Sequence, residues 1–141
     1  MGTINTRISI RSSNTFRNTI SQRHDRAYSV ESRVDTGTRL ITENTSGSPH
    51  TLIDGANFYD SAETGAAANQ VYVFLRNTSS IAGKTITVQF NKNGTRDDVM
   101  LLNAGEFTMF PWKCDAATDD IEVFSNDTAG VRVEYIVSPM Q

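Results

Sequence analysis

The chain has 141 residues, of which 38% are hydrophobic and 21% charged, and its formal net charge is −3. That length is enough for one domain with a real core. The single cysteine, Cys114, excludes an internal disulfide and an all-cysteine metal site. The charge is unevenly spread. Residues 1–50 hold seven arginines (7, 11, 17, 23, 26, 33 and 39), no lysine and four acids, about +3 in sum, whereas residues 51–141 hold six bases and twelve acids, about −6. The two parts are electrostatically complementary, which suits head-to-tail packing of subunits or an arm lying on an acidic neighbour.

Thr3 to Ile10 alternates, with Ile4, Thr6, Ile8 and Ile10 on one side and Asn5, Arg7 and Ser9 on the other; period two predicts a strand. Residues 11–27 are polar with weak periodicity and fit either an extended arm or a short helix. Ala27–Val34 and Thr38–Thr42 read as a strand pair around Asp35-Thr36-Gly37. Residues 43–70 are rich in Gly, Ser and Asn and read as a long loop, a place where binding roles concentrate. No apolar run approaches a membrane span, and the opening residues lack the apolar core of a secretory leader, so neither a membrane nor a secretion signal is expected.

From residue 71 the pattern is clearer. Val71–Arg76 is β-branched and aromatic. In Lys84–Phe90 the apolar Ile86, Val88 and Phe90 share one face, and Thr85, Thr87 and Gln89 share the other. Asn93-Gly94 is a hairpin-turn dipeptide. Val99–Leu102 and Glu106–Phe110 follow, and Pro111 is expected to end the second of these runs because proline cannot donate to a ladder. Asp120–Ser125 and Val131–Val137 close the chain, the last with Val131, Val133, Tyr135 and Val137 on one face. Strand starts spaced roughly 7–15 residues apart with turn residues between them predict an all-β domain, a β-sandwich or jelly-roll-like fold over residues 27–141, preceded by an extended Arg-rich N-terminal arm over 1–26.

Catalytic chemistry finds little purchase. His24 and His50, the only histidines, lie far apart and lack the partner spacing of a hydrolytic or metal site. Lys113 neighbours Cys114 in sequence, but adjacent strand residues point apart, so Cys114 reads as a plain thiol rather than an activated nucleophile. Asp97-Asp98 and Asp119-Asp120 sit where aspartates cap turns and do not form a twelve-residue calcium loop. Asn44, Asn77, Asn93 and Asn126 open glycosylation-type triplets that read as turns. No glycine-rich loop matches a nucleotide pattern. No catalytic residue, cofactor or metal is therefore expected. Arginines in an acidic chain with few aromatics nearby fit protein contact better than nucleic acid, which nominates Arg7, Arg11, Arg17, Arg23 and Arg26. The apolar run Met109, Phe110, Pro111 and Trp112 is either a contact patch or the closing edge of the core.

Residues 77–137 carry a resemblance. Asn77-Thr78-Ser79, the strand Lys84–Phe90, the turn Leu102-Asn103-Ala104-Gly105-Glu106-Phe107 with a proline after it, then Asp120–Val123 and Val133–Val137, resemble small β-sandwich virion proteins of tailed bacteriophages, both capsid decoration (cement) proteins and neck or tail accessory proteins. The resemblance implies a virion protein made in the host cytoplasm, present in many copies, homo-oligomeric, and partnered by capsid or neck and tail subunits. Decoration is favoured over a neck or tail role, because a short chain without a coiled coil suits lattice coverage. A carbohydrate-binding module using Phe58, Tyr59, Trp112 and Asp115 is the reading from another class, and a small hydrolase is a remote third.

Overall fold

Alternating apolar residues become one-sided strands, and these set the architecture. The computed structural model describes residues 2–12, 20–30, 35–65 and 68–139, the first two stretches as paired strands. The described residues form ten strands: β1 Gly2–Ser12, β2 Ile20–Val30, β3 Asp35–Ile41, β4 His50–Ile53, β5 Gln70–Asn77, β6 Ile86–Lys92, β7 Thr95–Leu102, β8 Phe107–Lys113, β9 Asp119–Ser125 and β10 Val131–Pro139. One turn of 3-10 helix at Gly55–Asn57 is the sole helical element among the described residues.

β3 to β10 build a β-sandwich of two four-stranded antiparallel sheets, in the orders β3-β10-β5-β8 and β4-β9-β6-β7. Every connection from β3 onward crosses between the sheets except the β6–β7 hairpin, which is the winding of an eight-stranded jelly roll. That hairpin turns at Asn93 and Gly94, both at positive φ (50° and 88°), as a two-residue primed turn requires. The core lies between the sheets, where Ile86, Val88, Ile121, Val123, Val133 and Val137 are fully buried. Asn77 is buried with them. Its Nδ2 donates to the carbonyls of Lys84 and Leu102 (3.0 Å each), and its Oδ1 accepts from the Ser79 amide (3.0 Å). A buried amide so fully satisfied is a clamp between the sheets rather than a liability.

Four expectations change. The segment 11–27 forms no short helix where it is described: β1 and β2 pair along their whole length, from Gly2 with Val30 to Ser12 with Ile20, as a two-stranded sheet of their own. The hairpin thus continues to Val30, past residue 26. Ala27–Val34 and Thr38–Thr42 do not pair with each other. Residues 27–30 belong to β2, residues 31–34 lie outside the described residues, and β3 pairs with β10. Asp35-Thr36-Gly37 is strand, not turn. Gly37 faces Tyr135, and a Cβ there would meet the Tyr135 Oη at 2.9 Å, so the glycine makes room for a ring. Pro111 does not end its strand either. It sits inside β8, which among the described residues pairs only with β5 and so has a side where no ladder bond is lost. The long loop of 43–70 also contains β4, whose pairing with β9 shifts register between Thr51 and Ile53.

Candidate docking edge

β7 is written Thr95-Arg96-Asp97-Asp98-Val99-Met100-Leu101-Leu102, its first half polar with three charges and its second half apolar. An edge strand with one face inward cannot bury four consecutive apolar residues, because successive side chains point to opposite faces. A β-bulge decides which are left out. Val88 of β6 faces Met100 and Gln89 faces Asp98, so Val99 is the unpaired extra residue. Leu102 is buried and Met100 half-buried, while Val99 and Leu101 are 40% and 56% exposed.

The four-residue connection to β8 fixes the next side chain. The Asn103 amide donates to Glu106 Oε2 (2.8 Å), the Glu106 amide to the Asn103 carbonyl (3.0 Å), and the Asn77 amide to the Glu106 carbonyl (2.9 Å). Phe107 emerges from this turn 57% exposed, its ring stacked against Phe74 with centroids 6.0 Å apart. Between the two strands opens a cleft of about 560 Å³ whose walls include Met100, Leu101, Glu106, Phe107 and Thr108. A smaller groove of about 340 Å³ is lined by Thr87, Asp98, Val99, Met100 and Leu101. Asp97, Asp98 and Glu106 are exposed around this apolar strip.

The charged half of β7 is held down. Glu122 of β9 points outward yet its side chain is only 3% exposed. Arg96 lies across it, with Nε donating to Oε2 (2.6 Å) and Nη2 to Oε1 (3.1 Å), and Asn91 Nδ2 donates to Oε1 (3.2 Å). Gln89 Nε2 donates to Asp98 Oδ1 (2.6 Å). A bidentate guanidinium–carboxylate pair is the geometrically specific form of ion pair. It ties β7 to β9 across β6, so the apolar half is presented on a strand anchored at its other end.

The residues nominated from sequence fall into different places. Trp112 is 6% exposed and belongs to the core. Phe110 is half-buried against Phe90, with ring centroids 5.6 Å apart, and Met109 is half-buried opposite Phe74. Arg7 and Arg11 lie on β1, Arg23 and Arg26 on β2, with Arg7 opposite Asp25; Arg17 lies outside the described residues. Phe58 and Tyr59 pack half-buried against the core, and Asp115 sits 3.2 Å from both Lys92 and Lys113. Of the four carbohydrate candidates, Trp112 is therefore turned inward while Phe58 and Tyr59 keep part of their surface exposed. Val99, Leu101 and Phe107 are not among the residues nominated from sequence; the unbroken apolar run 99–102 on a strand that ought to alternate is the signal that points to the first two.

The other reactive groups have structural partners. Cys114 is fully buried, its Sγ 3.1 Å from the Ala116 carbonyl and 3.5 Å from that of Gly55. Burial, with the charge of Asp119 behind it, pushes the thiol up to about 11, so it stays protonated at neutral pH. His50 Nδ1 lies 3.2 Å from Glu43 Oε1. Asp120 accepts from the Gly55 amide (3.0 Å), and Asp119 from the Asp115 amide (3.0 Å). Among the described residues no group of three or more His, Cys, Asp or Glu side chains is placed to hold a metal, and no helix is long and apolar enough to cross a membrane.

Fold and edge together define a class: a jelly-roll β-sandwich with one anchored, acid-flanked, apolar edge strand. No protein-family model matches the chain, and no curated protein matches it.

Proposed function

We propose that this chain is a structural protein of a tailed-phage particle, in the first place a capsid decoration protein, and that it acts by binding other virion subunits rather than by catalysis. The observation that carries the reading is the β7–β8 edge, where Val99, Leu101 and Phe107 stand exposed around an open cleft. Contiguous exposed apolar surface with a charged rim marks interaction sites in soluble proteins. Two further features support it. Jelly rolls are a common building block of viral shells, although a fold by itself assigns no function. The charge split between residues 1–50 and 51–141 supplies complementary surfaces, which favour oriented association. A neck or tail position is the variant of the same reading, since an edge of this kind suits either.

Mass spectrometry of gradient-purified particles from producing cells tests the reading. The chain is expected at fixed stoichiometry to the shell protein for decoration, or at a small symmetric copy number for the neck or tail. Particles that lack it altogether overturn the proposal.

A further inference from the structure

We propose that the occupant of the β7 edge is the N-terminal hairpin of a second copy, which adds its strands to the β4-β9-β6-β7 sheet so that copies join head to tail. This rests on reading the chain as an assembly protein and names the partner for that edge.

The sandwich has four edge strands. β3 and β8 have seven residues, β4 has four, and β7 has eight. β8 carries Pro111, which lacks the N–H that an added strand needs, and β4 is too short to hold much. β7 therefore offers the longest ladder, and its exposed Val99 and Leu101 leave apolar surface for an incoming strand to cover. Strand addition of this kind takes its affinity from main-chain hydrogen bonds and its specificity from the side chains set beside them.

Those side chains select the occupant. Asp97 and Asp98 are exposed on β7, and Glu106 follows in the adjoining turn. Antiparallel pairing of β7 with another β7 about its middle sets the two acidic pairs within a position or two of each other, a like-charge arrangement that disfavours the symmetric dimer. The same acids accept a cationic strand. β1 supplies one: Ile4, Ile8 and Ile10 alternate with positions that include Arg7, and Arg11 follows. β2 adds Arg23 and Arg26.

The hairpin also gains from the arrangement. β1 and β2 form a sheet of two strands joined to neither sandwich sheet, and two-stranded sheets are marginal by themselves. Added to β7, they become the outer strands of a six-stranded sheet. The contact is heterologous, so it builds rings or open chains rather than a closed pair.

The test uses full-length protein and light scattering after size exclusion. One variant reverses the arm (Arg7→Glu with Arg11→Glu). The other reverses the edge (Asp97→Lys with Leu101→Lys), at two exposed positions. Far-UV circular dichroism and melting confirm that both remain folded. Wild type is expected to self-associate, each variant alone to lose at least about tenfold in affinity, and the equimolar mixture to regain assembly, because the unaltered arm of the edge variant fits the unaltered edge of the arm variant while the two reversed surfaces fit each other. A wild type that stays monomeric to about 1 mM, an edge variant that assembles normally, or a mixture that does not recover overturns the proposal. A wild type that is monomeric in solution but present in particles removes this inference alone. Self-association with charge-swap rescue in a chain absent from particles removes the virion reading alone.

Discussion

β7 and β8 are joined by four residues and each forms the edge of its sheet, yet they treat their apolar side chains in opposite ways. β8 turns Trp112 and part of Phe110 into the core and interrupts its own outer ladder with Pro111. β7 leaves Val99 and Leu101 outside and keeps a full set of amides on its outer side. Composition does not separate the strands, since both are rich in large apolar residues. Register does. The bulge opposite Val88 and Gln89 shifts the alternation of β7 by one position, and a shift of one exchanges inner and outer faces. An edge built this way is open to pairing, whereas an edge carrying proline is blunted against it.

If β8 is the structural member of the pair, removing its largest buried side chain brings the greatest loss. Trp112→Ala is expected to cost about 3–5 kcal/mol, measured by chemical denaturation, which is enough to unfold a domain of ordinary stability. The anchored end of β7 comes next. Arg96→Ala leaves the Glu122 carboxylate in place without its bidentate partner. Removing one partner leaves the other charge uncompensated, but the Arg96 side chain is 37% exposed, so solvent screens what remains and the expected loss is clearly smaller than that of Trp112→Ala. A double-mutant cycle with Glu122→Gln should recover much of that loss, because no unpaired charge remains. The exposed end of β7 should barely register in stability. Leu101→Lys and Phe107→Lys are expected to change unfolding free energy by no more than about 0.5 kcal/mol, while the first weakens association. A large loss of stability from either means that the edge is part of the core, and the contrast between the strands fails.

These expectations rest on features of very different legibility. The inward faces of β6, β9 and β10 were readable because alternation with one buried side writes itself into Ile86-Thr87-Val88 and Val131-Arg132-Val133. The nomination of Met109, Phe110 and Trp112 located the right strand but left open which way each ring turned. That depends on the register with β5, where Val71 faces Trp112 and Phe74 faces Met109, and sequence spacing alone does not encode register. Gly37 misled for a similar reason. A glycine two residues after an aspartate signals a turn locally, while its role here is set by Tyr135, 98 positions away and directly across the ladder. The Arg96–Glu122 pair was illegible for the same cause, as it joins two strands that do not touch each other.

The smallest expected effect lies at the far end of the sandwich from the β7–β8 turn. Burial raises the pKa of Asp120, and Asp54, Glu122 and Asp119 raise it further, against the lowering effect of the Gly55 amide. A carboxyl whose pKa is raised on folding favours the protonated form in the native state. Its contribution is therefore fully present below the ordinary carboxyl range and is lost as pH rises through the folded value. At neutral pH the ionised Asp120 works against the fold. Asp120→Asn keeps an oxygen to accept from Gly55 and removes the charge, so it should raise the melting temperature at pH 7 by roughly one or two degrees. The difference should shrink toward nothing near pH 3. Melting curves of both proteins across that range decide it: a difference that grows on acidification means that the amide hydrogen bond outweighs the crowding of carboxylates, and that Asp120 is a stabilising cap after all.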